Sequence, residues 1–308
     1  MMQARLPKFR RVPDAVAGKR LTERGIEIVR IILRYRFIAT STLVRVAVGN
    51  EDVNYRHLQQ LYHQGLISRF TLPGRGNKGE FIYFLENVPA LREIAHRLGG
   101  EAVDWKQIQS NHEKYAGIGE IRNGDGYGSL LFIRHELMIS DFHAVIEVAC
   151  RASGGRVELV QWMQGASLWS QVRTPSKETL PHRPDAFFTL LFPNAPAGQQ
   201  RSNFFYEADR GTTNITRFRS KLLAHIEYMK QGRHSALGVK RIRSVLVETN
   251  STERTEQCKA VAASLAASDP LAGMLFWFAP EPETASVETA FPACWQASAD
   301  TRLRTLED

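Results

Sequence analysis

Three cysteines, Cys150, Cys258 and Cys294, are too few, too scattered and odd in number for a disulfide framework. No Cys-x-x-Cys pair offers a zinc knuckle, and no His-x-His occurs. No stretch approaches the run of about 18 apolar residues that a membrane-spanning helix needs, so no membrane partner is expected. The first twenty residues, MMQARLPKFRRVPDAVAGKR, are basic but hold no apolar core and are not expected to act as a secretory signal. A reducing cytoplasm is the expected location. Internal repeats and low-complexity tracts are missing too, which excludes solenoid and array architectures.

What the chain does have is an ordinary globular composition with one unevenness. Its 308 residues suffice for two domains with cores of their own. The formal charge of +8 is not spread along them. Residues 1–90 hold 15 Lys and Arg against 7 Asp and Glu, whereas residues 91–308 hold 25 of each. The whole excess therefore lies in the first 90 residues. Positive charge concentrated in this way calls for a polyanion, nucleic acid before others.

Residues 1–20, rich in Arg, Lys and Pro, read as a disordered basic tail. Residues 21–98 read as a domain. Thr22 is placed to cap a helix running to about Tyr35, with Ile26, Val29, Ile32 and Leu33 on one face. Thr40 or Ser41 is placed to cap a short second helix. A third is expected over residues 52–64, packed through Leu58 and Leu61 and closed by Gly65. Strand-like runs at 66–71 and 81–85 flank a loop holding Arg75 and Lys78. Three helices and a hairpin make a winged helix-turn-helix, whose third helix enters the DNA major groove. Tyr55, Arg56, Gln59, Gln60 and His63 lie off that helix's core face. Arg and Gln can bond guanine and adenine edges in pairs, and Arg75 and Lys78 suit phosphate. Double-stranded DNA is the expected partner, with protein contact or dimerisation as the alternative use of such a fold. A stretch at 89–98 could extend this domain or make a homodimer contact.

Residues 99–128, with seven glycines, read as a connector. The second domain is expected over 129–280: a helix at 129–152, strands at 156–163, 185–192 and 203–209, a helix at 214–231, a strand at 242–248, a helix at 251–267 and a strand at 275–279. Residues 281–308 read as a tail without period. Helix, three strands, helix, strand describes an α/β (α+β) layered domain. Asp185, Glu207 and Asp209 border its aromatic strands, and Glu207 and Asp209 share a face because strand side chains alternate. Lys221, His225 and Tyr228 share one face of the following helix, and Glu136 is a further acid on the opening helix. Clustered carboxylates are the ligands that Mg²⁺ or Mn²⁺ wants, and such an ion at a phosphate is how many nucleases cut. Asp185 and Glu207 are the expected metal ligands, and Asp185, Glu207, Asp209, Lys221 and Glu136 the expected catalytic set.

The segment His182-Arg183-Pro184-Asp185-Ala186-Phe187, followed by Glu207-Ala208-Asp209-Arg210-Gly211-Thr212 and by Lys221-Leu222 and Tyr228, resembles the plasmid replication-relaxation family over roughly residues 20–250. That family is similar to the MOBC relaxases of mobile plasmids. The resemblance implies a winged helix joined to a restriction-endonuclease-like PD-(D/E)xK domain. Pro184-Asp185 matches its PD element and Glu207 its second acid. Asp209 stands where that pattern has lysine, and Lys221 is the candidate replacement. Without His-x-His, the paired-histidine mechanism of the commoner relaxases is not supported. The expected function is a DNA nickase or relaxase of a mobile element, acting at a transfer or replication origin beside replication or conjugation proteins. The alternative is a non-catalytic DNA-binding regulator or replication accessory factor.

Overall fold

Thr22 starts the first long helix, its hydroxyl accepting the Gly25 N–H and capping α1 (Glu23–Tyr35). In this computed structural model the described residues are 7–72, 79–86, 88–98, 103–119, 127–281, 291, 293–298 and 300–307. The chain divides into two compact units, Met1–Ala144 and Val145–Asp308.

In the first unit α1 is followed by β1 (Ile38–Ala39), α2 (Thr40–Val46) and α3 (Glu51–His63). Asn50 caps α3 by accepting from Asp52 and Val53, and Gly65 makes the left-handed turn beyond it at φ +77°. β2 (Ile67–Thr71) and β3 (Phe81–Leu85) pair antiparallel. β1 adds to the other edge of β3, Ile38 opposite Tyr83, giving the order β1-β3-β2. Two residues are too few to show a strand period, so β1 could not be read from the sequence. α4 (Pro89–Glu93), α5 (Trp105–Tyr115) and α6 (Tyr127–Ala152) follow, so regular structure occupies part of the expected connector.

The small sheet is buried on both faces, which is why β2 and β3 are apolar at nearly every position. Tyr83 and Leu85 join Ile26, Val29, Leu58 and Leu61 on one side. Ile82 and Phe84 pack with Phe37, Phe70, Tyr115 and, from α6, Leu130 and Ile133 on the other. Residues 7–20, expected as a tail, lie along this unit. Arg11 donates to the carbonyls of Tyr62 (3.0 Å) and Ile67 (3.1 Å) and to the buried Glu86 (2.5 Å).

The second unit is built on a seven-stranded sheet of order β12-β11-β10-β9-β8-β7-β4. β4 (Glu158–Gln164) is followed by a hairpin, β5 (Ser170–Arg173) and β6 (Thr179–His182), that pairs only with itself. β7 (Ala186–Leu191) and β8 (Arg201–Asp209) complete an antiparallel meander with β4. α7 (Ile215–Lys230) then crosses over to β9 (Ser244–Thr249), parallel to β8. α8 (Thr252–Ala266) and α9 (Pro270–Leu275) lead to β10 (Phe276–Pro280), again parallel. β11 (Trp295–Ala297) and β12 (Leu303–Arg304) fall within the expected periodless tail and extend the sheet.

Alternation along these strands sorts the two faces. Phe187, Phe205, Val245, Val247, Phe276 and Phe278 face α7 and α8 in one core. The opposite face carries the row Trp162, Phe188, Phe204, Trp277, with ring centroids 5.6, 5.1 and 6.5 Å apart. In β8 only Arg201, at its start, is exposed. Acids near the other end of that strand are therefore held in a rigid, dry setting.

Candidate functional site

Asp185 stands just before β7. Its N–H donates to the Tyr206 carbonyl (3.2 Å), and its Oδ2 accepts the Ala208 N–H (2.8 Å). The carboxylate is thus pinned across the end of β8. Glu207 projects from β8 to the same face as Phe205, the face that α7 covers. From α7, the Lys221 Nζ lies 3.4 Å from Asp185 Oδ2 and forms an ion pair with Glu207 Oε2. Two strand-end acids thus meet at one ammonium. Glu207 is 2% exposed there, Asp185 13% and Lys221 31%, so the cluster opens to solvent on the lysine side.

Behind Glu207 runs a chain of polar contacts. His225 Nε2 lies 2.5 Å from Glu207 Oε1, His182 Nε2 3.0 Å from His225 Nδ1, and Ser170 Oγ 3.4 Å from His182 Nδ1. Burial, followed by the neighbouring His225, Lys221 and Arg233, pushes the His182 pKa down to about 2. Burial, followed by Lys221, takes His225 down to about 3. Both imidazoles are therefore neutral at pH 7. With Glu207 ionised, His225 donates to Glu207, His182 donates to His225, and the Ser170 hydroxyl donates to His182. Burial raises Glu207 well above the usual carboxylate range, against the pull of Lys221. Burial lowers Lys221 less than the carboxylates of Asp185 and Glu207 raise it, so it stays charged.

Asp209 is not part of this group. It shares the sheet face of Glu207, but both its oxygens are taken by Arg254 of α8, at 3.0 Å from Nε and 2.9 Å from Nη2. Its Oδ1 also accepts the Gly211 N–H (2.7 Å). This buried fork ties the start of α8 to the end of β8 and holds Asp209 away from the Lys221 ammonium that Asp185 and Glu207 share. Glu136 is likewise not among these residues: it is buried in the first unit, where its carboxylate pairs with Arg36 at 3.1 Å. Tyr228 is buried with its ring stacked on His182, centroids 4.0 Å apart, a packing position. His182, Ser170 and Arg254 escaped sequence reasoning. The signal for His182 was its place three residues before Asp185; the other two had none.

On α3, Tyr55, Arg56 and Gln59 line a cavity of about 460 Å³ together with Lys8, Ser41 and Arg69. Gln60 donates to the Arg20 carbonyl (3.3 Å). His63, expected on the exposed face, is buried instead, because its Nδ1 accepts the Val12 N–H (3.1 Å), so it cannot reach a base edge. Arg75 and Lys78 lie outside the described residues.

Among the described residues no three His, Cys, Asp or Glu side chains gather as metal ligands. Asp185 and Glu207 do fit a less demanding site. Mg²⁺ keeps several waters and is commonly held by one or two carboxylates and a substrate phosphate. The donor set therefore suits Mg²⁺ or Mn²⁺ in that mode and not an all-protein cage.

The fold is a mixed α and β one, with acids of two neighbouring strands and a helix lysine gathered in its second unit. The family description "Replication-relaxation" matches residues 30–240, and the chain belongs to that family. The match takes in Asp185, Glu207 and Lys221 and stops short of Arg254. Membership points to replication or mobilisation of a plasmid or other mobile element. No curated protein and no solved structure matches the chain. No helix among the described residues is long and apolar enough to cross a membrane.

Proposed function

We propose that this chain binds duplex DNA through its first unit and nicks it at the Asp185–Glu207–Lys221 site of its second, at a transfer or replication origin. Support for a winged helix comes from the element order of the first unit, its sheet order β1-β3-β2 and the basic excess of residues 1–90. Support for a PD-(D/E)xK core comes from the β4-β7-β8 meander followed by α7 and the parallel β9. The observation that carries the reading is the convergence of Asp185 and Glu207 on the Lys221 ammonium, 3.4 Å from Asp185.

Mg²⁺ or Mn²⁺ held by Asp185 and Glu207 would offset the charge that builds on phosphorus and acidify a bound water. The remaining parts are this chain's own. Lys221, kept charged by its two acids, presents a positive group to the phosphate. The Ala208 N–H holds Asp185, and His225, itself held by His182, fixes the orientation of Glu207. The test is nicking of a supercoiled plasmid carrying the element's origin, with and without Mg²⁺. Asp185→Ala and Glu207→Gln abolish metal-dependent nicking under this reading, and full activity in both variants overturns it.

A second reading, a non-catalytic DNA-binding factor, is favoured by one observation. The lysine already pairs with both acids, and no third ligand joins them among the described residues. Under it, calorimetry detects no Mn²⁺ uptake and Asp185→Ala leaves DNA affinity intact.

A further inference from the structure

The β5–β6 hairpin forms one wall of a cavity of about 560 Å³ that the acid cluster does not use. Trp169 lies on its rim, just after a buried Leu168 that anchors the short 3-10 turn Ala166–Leu168. The indole is 53% exposed, and the Arg183 guanidinium sits over the ring, 4.9 Å from the centroid. Arg173 from β5 and Arg233 from the turn after α7 line the same cavity. Three separate elements thus bring three exposed guanidinium groups to one place. Among the described residues none of the three has a carboxylate partner, and Arg233 donates only to the Gln231 side chain (3.2 Å). Like charges gathered without an acid repel one another, and an anion resolves the repulsion.

Location adds a second argument. Ser170, which also lines the cavity, ends the polar chain from Glu207. Arg183 precedes Asp185 by two residues. The cavity wall is thus tied, through Ser170 and Arg183, to the chain segment and the polar contacts that hold the acid cluster.

We infer that the cavity takes a single-stranded polynucleotide, one base stacked at Trp169 and the neighbouring phosphates on Arg173, Arg183 and Arg233. Duplex DNA would leave the indole without work, since paired bases already stack on one another. An unpaired base has a free face, and an aromatic ring beside a cationic groove is the usual platform for it. An acidic peptide would need the arginines but not the exposed ring. The inference extends the nucleic-acid reading of the second unit, and it stands whether or not the site cuts, because binding is measured without metal.

The experiment is fluorescence anisotropy of labelled oligo-dT and oligo-rU, on the order of 12 nucleotides long, titrated with the full chain in EDTA. Trp169→Ala weakens binding about 5- to 150-fold, and Trp169→Phe keeps most of it. Each arginine changed to alanine lowers the salt slope of log K by about 0.7, the single-strand value for one phosphate contact. Affinity for a duplex oligonucleotide is unchanged in Trp169→Ala. Tighter binding of one oligonucleotide, lost in Trp169→Ala, upholds the proposal and separates DNA from RNA. Wild-type affinity for both oligonucleotides in Trp169→Ala overturns it. Equal loss of single- and double-strand affinity, or competition by poly-glutamate as strong as by unlabelled dT, overturns it as well.

Discussion

Each unit buries a glutamate against basic side chains, and the two burials differ in purpose. In the first, Glu86 accepts from Arg11 (2.5 Å) and lies beside His112, so a lone acid faces two basic side chains. Arg11 also holds the carbonyls of Tyr62 and Ile67, so the group fastens residues 7–20 to the unit. In the second, Glu207 faces Lys221 and His225, but a further acid, Asp185, shares the same lysine. When both acids are ionised, one ammonium between them leaves a net negative charge beside solvent, a setting that suits a cation. One carboxylate between two basic side chains has no such surplus. The contrast repeats two residues along β8, where Asp209 is saturated by Arg254 and serves the fold.

The widest separation is expected in activity. Asp185→Ala and Glu207→Gln should lower plasmid nicking at least about 1,000-fold, about 4 kcal/mol of activation free energy, while Glu86→Gln leaves it near the wild-type rate. Gel quantification of nicked product decides this. Next comes Arg254→Ala, which strands Asp209 as an uncompensated buried charge. A loss of about 3 kcal/mol or more in urea unfolding is expected, and a loss under about 1 kcal/mol would show that the fork is dispensable. Glu86→Gln should cost less, about 1–3 kcal/mol, because Arg11 is itself one-third exposed and can turn to water.

A pH series sharpens the comparison. His182, with a folded pKa of about 2, is neutral when folded but binds a proton when unfolded below about 6.5. The unfolded state then holds more protons, so stability falls as pH drops from 6.5 toward 2, by about 1.4 kcal/mol per pH unit for this residue. Glu207, raised by burial, acts with the opposite sign, losing its stabilising effect as pH rises. Unfolding of wild type and His182→Gln between pH 4 and 6 isolates the histidine: the variant should be flatter by about that slope, and parallel lines would refute it. The smallest effect belongs to the first unit's surface. Arg56→Ala should reduce the salt slope of duplex binding by about 1, read by anisotropy over a range of salt.

Much of the scaffold was legible. α1 and α3 announced themselves through apolar spacing, α1 also through its cap at Thr22, and α7 and α8 were expected within a residue or two of their observed bounds. β7 to β10 did so as short apolar runs, and the crossover through α7 followed from their order. The β5–β6 hairpin did not, since its residues are mostly exposed and it pairs only with itself. With it went Ser170, the role of His182 and the cavity at Trp169. Among the acids, alternation along β8 put Glu207 and Asp209 on one face but could not separate them. That choice depends on which helix lies over which residue.

From the chain alone came the longer helices and the central strands, the basic first 90 residues, the shared face of Lys221, His225 and Tyr228, and the short set of acids able to form a site. These rest on local periodicity and on counting charges, which need no partner. Tertiary structure alone assigned Asp209 to Arg254, Glu136 to Arg36, and Asp185 with Glu207 to Lys221. Each is a contact across 14 or more residues of sequence, and attraction between charges is settled by distance in space, which no spacing along the chain reveals.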